Sequence, residues 1–522
     1  MHAALDVPEV VDVICGEIAA DGHDRCYAGV QGIPVLDYPS RCDHLARLAR
    51  TCTSFLGPAL DALWSHQSTL IHLLRTIPED LWDIIETIDI HNEYEPGSLE
   101  IICKRAATAD DWTRFLFYSR RVRSFKDTRI YLHTSNVYDV LAASFPGGVI
   151  FPRLESLNWY PNAQTLRRTS RLFLSPGITR LELKASCFAD ERLLRKLMTT
   201  FRTLKHVEIH GPGRVAAVSR FICAQSELEA LFANELDVQA FAHIARLPHL
   251  RVLVLLSKKF DHLPTAPSGL PLFPALEIFG CESLNSAPNL LEWTGSSLSE
   301  FKLAGVTWGA VPVKADFREL YSAIASHCTP DKLRDLLVGK PCCARVPAQD
   351  IAHYLVSVEE LRPLFAFHNL VVVSLAHSPC VDLDDAGAAE LARSWPRLQQ
   401  LFFHTDINPR ISPRLTLEGI AAFAEHCPEL KDMRILFDAT DVPKLKVKTS
   451  KGRRNTSRVA QFSLERLHVA YSPVNPKPQR VVEFLRTIFP SLRVVQPAYE
   501  QAGLDAQLMA CCKGWMRVQE AL

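Results

Sequence analysis

The sequence has no excess of charge of either sign. Its 522 residues include 58 Lys and Arg and 58 Asp and Glu, so the formal net charge is zero. Nucleic-acid-binding proteins and polybasic membrane-surface proteins depend on excess positive charge. Long apolar runs are also missing: the strongest, from Val252 to Leu256, ends before Lys258 and Lys259, whereas a membrane span needs about 18 apolar residues. We therefore expect neither a nucleic acid nor a membrane as a partner.

Signals for export and for disulfide bonding are missing as well. The first 20 residues carry Asp6, Glu9 and Asp12 but no Lys or Arg, whereas a secretory signal begins with a basic region. The 15 cysteines are odd in number and scattered, unlike the dense, regular spacing of a disulfide framework. We expect a reduced intracellular protein that is cytoplasmic or nuclear.

The motifs of common enzymes are absent from the sequence. It has no CxxC pair, HExxH helix, Walker A loop, GxGxxG or GxSxG, which mark frequent zinc, nucleotide and nucleophile sites. Cys342 and Cys343 are adjacent, and adjacent cysteines are poor tetrahedral zinc ligands. His206 and His210 flank a predicted strand, and we interpret them as hydrogen-bonded polar residues. We expect no enzyme and no catalytic, cofactor or metal site; an enzyme with an unrecognised site is a minor alternative.

What the sequence does contain is a recurring phrase, an apolar residue followed by Pro-x-Leu. Proline ends a preceding helix and biases its neighbour toward extended backbone. Apolar residues then stand three and five positions beyond the leucine, as Leu157 and Trp159 do after Leu154. This period of two predicts a strand with one buried face. The phrase occurs at Phe151–Leu154, Leu247–Leu250, Phe273–Leu276, Trp395–Leu398, Cys427–Leu430 and Phe489–Leu492.

If copies without the proline are counted as well, the same apolar spacing occurs 13 times, with first residues from Leu154 to Leu492. The mean period is about 28 residues, which is typical of leucine-rich repeats, and helical patterns separate the copies. We predict an α/β fold in which 151–498 form an irregular leucine-rich-repeat solenoid, with a curved parallel sheet inside and helices outside. The alternative is an ordinary α/β domain with a doubly wound sheet. Residues 499–522 have an amphipathic pattern that predicts a C-terminal capping helix.

Residues 1–66 lack the repeat and have helical patterns instead. Pro8-Glu9-Val10 opens the first, in agreement with the preference of proline for the first turn of a helix. Two further segments read Leu-Ala-Arg-Leu-Ala-Arg-Thr-Cys-Thr-Ser-Phe over 45–55 and Pro-Ala-Leu-Asp-Ala-Leu-Trp over 58–64. Together these segments resemble the F-box of fungal F-box/leucine-rich-repeat proteins, a family that also predicts the repeats behind it.

The resemblance implies a small all-helical module that binds a Skp-type adaptor and, through it, a cullin scaffold, while the repeats hold a target protein. The chain would be the substrate-recognition subunit of a ubiquitin ligase and would act by proximity rather than by bond chemistry. The alternative is a protein-interaction scaffold unrelated to ubiquitination, in which 1–66 only cap the solenoid. The residues assigned to adaptor binding are Pro8, Val10, Ile14, Leu45, Leu48, Phe55 and Trp64.

Three other segments need separate interpretations. The connection over 20–43 is longer than in many F-boxes, and is either an insertion or a sign of weakened adaptor binding. Residues 67–150 are predicted to be a helical linker with a degenerate first repeat, which includes a strand within 121–125. Residues 444–458 carry seven Lys and Arg; we interpret them as a solvated loop, with a nuclear-localisation signal or a contact for an acidic partner as alternatives.

The predicted strands offer a surface for a protein target. Side chains alternate along a strand, so the residue between the second and third apolar positions lies on the concave side. Polar and acidic residues come first in this set, apolar ones follow, and basic ones end it. The set consists of Asn158, Glu182, Glu208, Phe232, Val254, Lys302, Leu337, Phe402, Arg434 and His468.

Overall fold

A computed structural model describes residues 7–20, 38–87, 98–126, 136–160, 163–256, 272–294, 298–303, 312–339, 350–376, 381–404, 412–443, 460–498 and 506–522. Most of the connection 20–43 and all of the basic segment 444–458 lie outside these residues. Within the described part of the chain, no helix is both long enough and apolar enough to cross a membrane.

The helices lie between the strands along most of the chain. Short 3₁₀ turns at Asp110–Trp112, Ala185–Ala189 and Arg362–Ala366 supplement them. The α-helices are α1 (Pro8–Ala20), α2 (Tyr38–Leu48), α3 (Thr53–Ser65), α4 (Ile71–Leu74), α5 (Thr113–Ser119), α6 (Val137–Ser144), α7 (Ala163–Phe173), α8 (Glu191–Thr200), α9 (Val215–Cys223), α10 (Val238–Ile244), α11 (Ala287–Thr294), α12 (Lys314–His327), α13 (Ile351–Tyr354), α14 (Val358–Leu361), α15 (Asp385–Ser394), α16 (Leu417–His426), α17 (Pro478–Ile488) and α18 (Ala506–Ala521).

The strands are short, and most have two to five residues. They are β1 (His66–Gln67), β2 (Trp82–Thr87), β3 (Ser98–Cys103), β4 (Ser124–Lys126), β5 (Ser156–Asn158), β6 (Arg180–Lys184), β7 (His206–His210), β8 (Ala230–Ala233), β9 (Val252–Leu255), β10 (Ile278–Cys281), β11 (Glu300–Leu303), β12 (Asp335–Val338), β13 (Val356–Ser357), β14 (Val372–Ala376), β15 (Val381–Asp382), β16 (Gln400–His404), β17 (Asp432–Arg434), β18 (Arg466–Ala470) and β19 (Val494–Pro497).

The chain divides into two compact units, Met1–Leu228 and Glu229–Leu522, called here the first and second unit. In the first unit, α1, α2 and α3 share one apolar core; we call them the helical module. Strands β2 and β3 form an antiparallel hairpin. Strands β1, β4, β5, β6 and β7 form a parallel sheet in that order.

The second unit contains ten parallel strands in the order β8, β9, β10, β11, β12, β14, β16, β17, β18, β19. A separate parallel pair joins β13 and β15. All 13 copies of the sequence repeat form strands, and helices connect most of them, so the predicted α/β fold with a repeating parallel sheet is confirmed. The repeat pattern missed β1, a two-residue strand that pairs with β4.

In the six copies that contain it, the Pro-x-Leu phrase leads into the strand that follows. In the first copy, Leu154 donates its backbone N–H to the carbonyl of Phe151, and both side chains are fully buried. Glu155 and Ser156 then donate to the carbonyl of Arg123, which lies at the same point of the preceding repeat. The proline costs nothing here because the turn does not need its missing N–H. The phrase therefore places each new strand in register beside the one before it.

Candidate functional site

The structure divides the seven predicted adaptor-binding residues between the surface and the core of the helical module. Pro8 and Val10 are exposed on α1. Leu45 and Phe55 are buried in the core that α1, α2 and α3 share, and Leu48 packs against it. Leu45 and Phe55 therefore hold the module together and leave little area for a partner, whereas Leu48 is half-buried. Ile14 and Trp64 are half-buried.

Trp64 is occupied by contacts inside the first unit. Its ring stacks on that of Tyr118 with centroids 4.4 Å apart. One helical turn before it, Asp61 forms an ion pair with Arg121. Both contacts connect α3 to the segment containing α5, so Trp64 anchors the helical module to the residues that follow it.

The helical module also exposes apolar side chains that the sequence pattern did not single out. Val13 is 63% exposed and Leu56 is 46% exposed, beside Val10 at 37%. Val10 and Val13 are three residues apart and so are neighbours on one side of α1, whereas Val11 and Cys15 enter the core. We call Val10, Val13 and Leu56 the exposed apolar set. Helical spacing separates Val10 and Val13 from Val11 and Cys15, but only the packing of α1 against α2 and α3 shows which side is the core.

The predicted target-binding residues form a continuous row within each unit. In the first unit, Asn158 pairs with Glu182 and Glu182 with Glu208 across neighbouring strands. In the second unit, the row also contains three residues that the spacing rule passed over, namely Gly280, Ser374 and Gln496. Its members in order are Phe232, Val254, Gly280, Lys302, Leu337, Ser374, Phe402, Arg434, His468 and Gln496. We call both sets the strand row.

At the acidic beginning of the strand row, the glutamates are hydrogen-bonded to a histidine of the same sheet. Nε2 of His210 lies 3.2 Å from Oε1 of Glu182 and 2.9 Å from Oε1 of Glu208. Hydrogen bonds to Glu182 and Glu208 raise the pKa of His210 to about 9. Burial opposes ionisation of Glu208, but hydrogen bonds from His206 and His210 outweigh it and lower the pKa of this carboxyl to about 2. We call Glu182, Glu208 and His210 the Glu-Glu-His cluster.

The basic end of the strand row is also paired. Arg466 donates to Oδ2 of the buried Asp432 at 2.7 Å, and His468 Nε2 lies 3.4 Å from Oδ1 of the same carboxylate. Burial opposes ionisation of Asp432, yet the hydrogen bonds from His468 and Arg466 lower its pKa. The guanidinium of Arg434 lies 5.9 Å from the ring centroid of Phe402. This end therefore presents a cation and an aromatic ring rather than isolated charges.

Two glycines shape the chain directly after His210. Gly211 has a φ of +78°, a conformation that side chains with a Cβ adopt at a cost. A Cβ on Gly213 would lie 2.6 Å from the Cβ of Ala185 and 2.7 Å from its carbonyl oxygen. The backbone must therefore approach Ala185 closely at Gly213. This close approach follows directly on the end of β7 at His210.

Replacing Gly213 by alanine should lower the free energy of unfolding of the first unit by about 1–3 kcal/mol, the usual cost of overpacking. The clash involves backbone atoms of Ala185, so a rotamer change cannot relieve it. Native-state hydrogen exchange of the β6 and β7 amides measures the effect. Gly148→Ala is the control, because a Cβ there meets no atom within 4 Å. Equal stability of the two variants would contradict the prediction.

Comparisons with known proteins leave the chain without an assigned family. No family model matches the sequence, and no curated protein matches it. Among solved structures, the chain is similar to one from the Rad7 and Elc1 complex in yeast, with 13% identity and a TM-score of 0.30, over 71% of this chain and 86% of that chain. A likeness at this level assigns no function to the chain.

Proposed function

We propose that this chain is a non-catalytic, cytoplasmic or nuclear substrate-recognition subunit of a Skp-cullin-F-box ubiquitin ligase. In this proposal the helical module binds a Skp-type adaptor, which connects it to a cullin, and the strand row binds a target protein. The observation that supports it is the exposed apolar set on a module whose core is already complete. The resemblance of residues 8–64 to an F-box names the class of partner.

The exposed apolar set gives the adaptor a surface to bury. Val10 and Val13 contribute nothing to the core of α1, α2 and α3, which is built from other residues of the same helices. Burying a valine side chain against a partner is worth about 1.5 kcal/mol or more. Exposed apolar residues that are neighbours, as Val10 and Val13 are on α1, are a mark of protein-interaction sites. The proposal therefore shifts the adaptor contact from Leu45, Leu48 and Phe55 to the exposed apolar set.

A direct test measures binding of the full-length chain to a recombinant fungal Skp-type adaptor by calorimetry. Val13→Asp should weaken binding at least tenfold, since it buries an unpaired charge in the contact. Val238→Asp is the matched control, because this valine is also exposed on a helix but lies in the second unit. Failure of the wild-type chain to bind, or equal affinity of the two variants, would reject the adaptor proposal.

A scaffold outside ubiquitination is the second candidate. The stacking of Trp64 on Tyr118 and the Asp61–Arg121 ion pair support it, because a cap must be fixed to the unit that it covers. If the wild-type chain does not bind the adaptor, and Trp64→Ala lowers the stability of the first unit, the helical module acts as a cap alone.

A further inference from the structure

Two neighbouring strands place two carboxylates and an imidazole around one point. Glu182 and Glu208 are direct partners in β6 and β7, and His210 lies two residues beyond Glu208 on the same face. One ligand atom from each residue lies within 4.8 Å of the other two. Each side chain keeps part of its surface in water, so a small solute can reach the cluster.

The distances inside the cluster agree with those between neighbouring ligands of a metal ion. Carboxylate oxygen and imidazole nitrogen bind zinc at about 2.0–2.2 Å, which sets adjacent ligand atoms roughly 3.0–3.5 Å apart in tetrahedral or octahedral geometry. Nε2 of His210 lies 3.2 Å and 2.9 Å from the two carboxylate oxygens. The two carboxylate oxygens lie within 4.8 Å of each other, so an ion that replaced the shared proton of His210 would draw them closer to form one side of a coordination shell.

The register of β6 and β7 favours a positive charge between these strands, which a protonated His210 or a bound cation would supply. Like charges directly opposite each other on neighbouring strands are destabilising, yet Glu182 faces Glu208. Glu300 and Asp335 are likewise opposed on β11 and β12, so the facing carboxylates alone do not set this cluster apart. What distinguishes the cluster is that both carboxylates contact Nε2 of His210, while Glu208 also lies 3.7 Å from Nε2 of His206.

A buried amide beside the cluster is incompletely satisfied. Asn158 is only 7% exposed, and its Nδ2 donates to Oε2 of Glu182. Its Oδ1 has no hydrogen-bond partner among the described residues. An acceptor that is buried and unpaired destabilises the folded state. A water molecule on a bound metal ion is a donor of the kind that this oxygen lacks.

We propose that Glu182, Glu208 and His210 form a binding site for a divalent cation of the zinc class. The mixed oxygen and nitrogen ligands suit such an ion, and water completes its coordination beside Asn158. The ion would join β6 to β7 and stabilise the acidic beginning of the strand row. This site does not depend on the proposed adaptor function, since it lies on strands rather than on the helical module.

The test titrates zinc chloride into the full-length, reduced protein in competition with a chromophoric chelator. Exposed thiols such as Cys42 and Cys223 also bind zinc, so the informative quantity is the difference between variants with identical cysteines. His210→Gln and Glu182→Gln should each lose one equivalent of zinc or bind it at least tenfold more weakly. His249→Gln and Glu227→Gln are the matched controls, because both residues are exposed and lie outside the cluster.

A second measurement locates the bound ion. Zinc should slow hydrogen exchange of the β6 and β7 amides in the wild-type protein and in His249→Gln, but not in Glu182→Gln. The glutamine keeps the shape of the glutamate, so this variant decides the question if His210→Gln does not fold. Unchanged zinc stoichiometry and affinity in Glu182→Gln, or no zinc-dependent protection of these strands in the wild type, would overturn the proposal.

Discussion

Replacing Trp159 by alanine should lower the free energy of unfolding of the first unit by about 3–5 kcal/mol. The indole is fully buried next to the strand row, where it contacts Phe173 with centroids 4.6 Å apart and Tyr138 at 5.6 Å. Its Nε1 also donates to the hydroxyl of Tyr138 at 3.2 Å. The alanine variant therefore leaves a large cavity and removes the hydrogen-bond donor of a buried hydroxyl.

The effect should reach the Glu-Glu-His cluster through the backbone. Trp159 follows Asn158 directly and donates its N–H to the carbonyl of Glu182. Repeat arrays often unfold in parts, so hydrogen exchange of the β5 and β6 amides is a better measure than a single melting curve. Trp159→Phe keeps an aromatic ring in the space and should cost only about 1–2 kcal/mol. Equal losses in the two variants would show that ring volume does not determine stability here.

Most of the fold could be predicted because the repeat carries one physical signal many times. Most copies have a buried first leucine and two further buried apolar anchors, as Leu154, Leu157 and Trp159 provide. The period of two then determines which residues leave the core, and this is why the strand row could be named before its register was known. The spacing rule passed over some members of the row, such as Gly280, which has no side chain and lies between Val254 and Lys302.

The Glu-Glu-His cluster could not be predicted, because it depends on register rather than on spacing. His210 and Glu182 are 28 residues apart in the sequence, and they meet only because β6 and β7 pair with Glu182 opposite Glu208. In the same way, helical periodicity marks Leu48 and Phe55 as apolar but cannot distinguish a core side from a partner side. The packing of α1 against α2 and α3 decides that question.

Buried glutamines are a second feature that an apolar pattern misses. The residue three positions before the first apolar anchor is a buried aromatic in six of the 13 copies, as at Phe151 and Trp395. Gln225 and Gln461 occupy the same position before Leu228 and Leu464, and both are buried. From sequence a polar residue there indicates an exposed turn. In the structure, each amide instead satisfies backbone groups of the preceding repeat.

Gln461 makes the larger set of these contacts and leads to the second prediction. Its Nε2 lies 2.7 Å from the carbonyl oxygen of Leu430 and 3.3 Å from those of Cys427 and Pro428. Its Oε1 accepts from the N–H groups of Ser463 at 3.2 Å and Leu464 at 2.9 Å. One side chain thus joins the turn of one repeat to the start of the next, directly after the basic segment 444–458.

Replacing Gln461 by leucine should lower the free energy of unfolding of the second unit by about 3–5 kcal/mol. The leucine fills the space of the glutamine but leaves buried backbone donors and acceptors unpaired, at a cost of about 1–3 kcal/mol each. Hydrogen exchange of the β17 and β18 amides measures the loss. Phe462→Ala is the control, because the neighbouring ring is exposed and such surface changes stay within about 0.5 kcal/mol. If the leucine variant were as stable as the control, water would have to satisfy these groups, and the amide would not be what connects the two repeats.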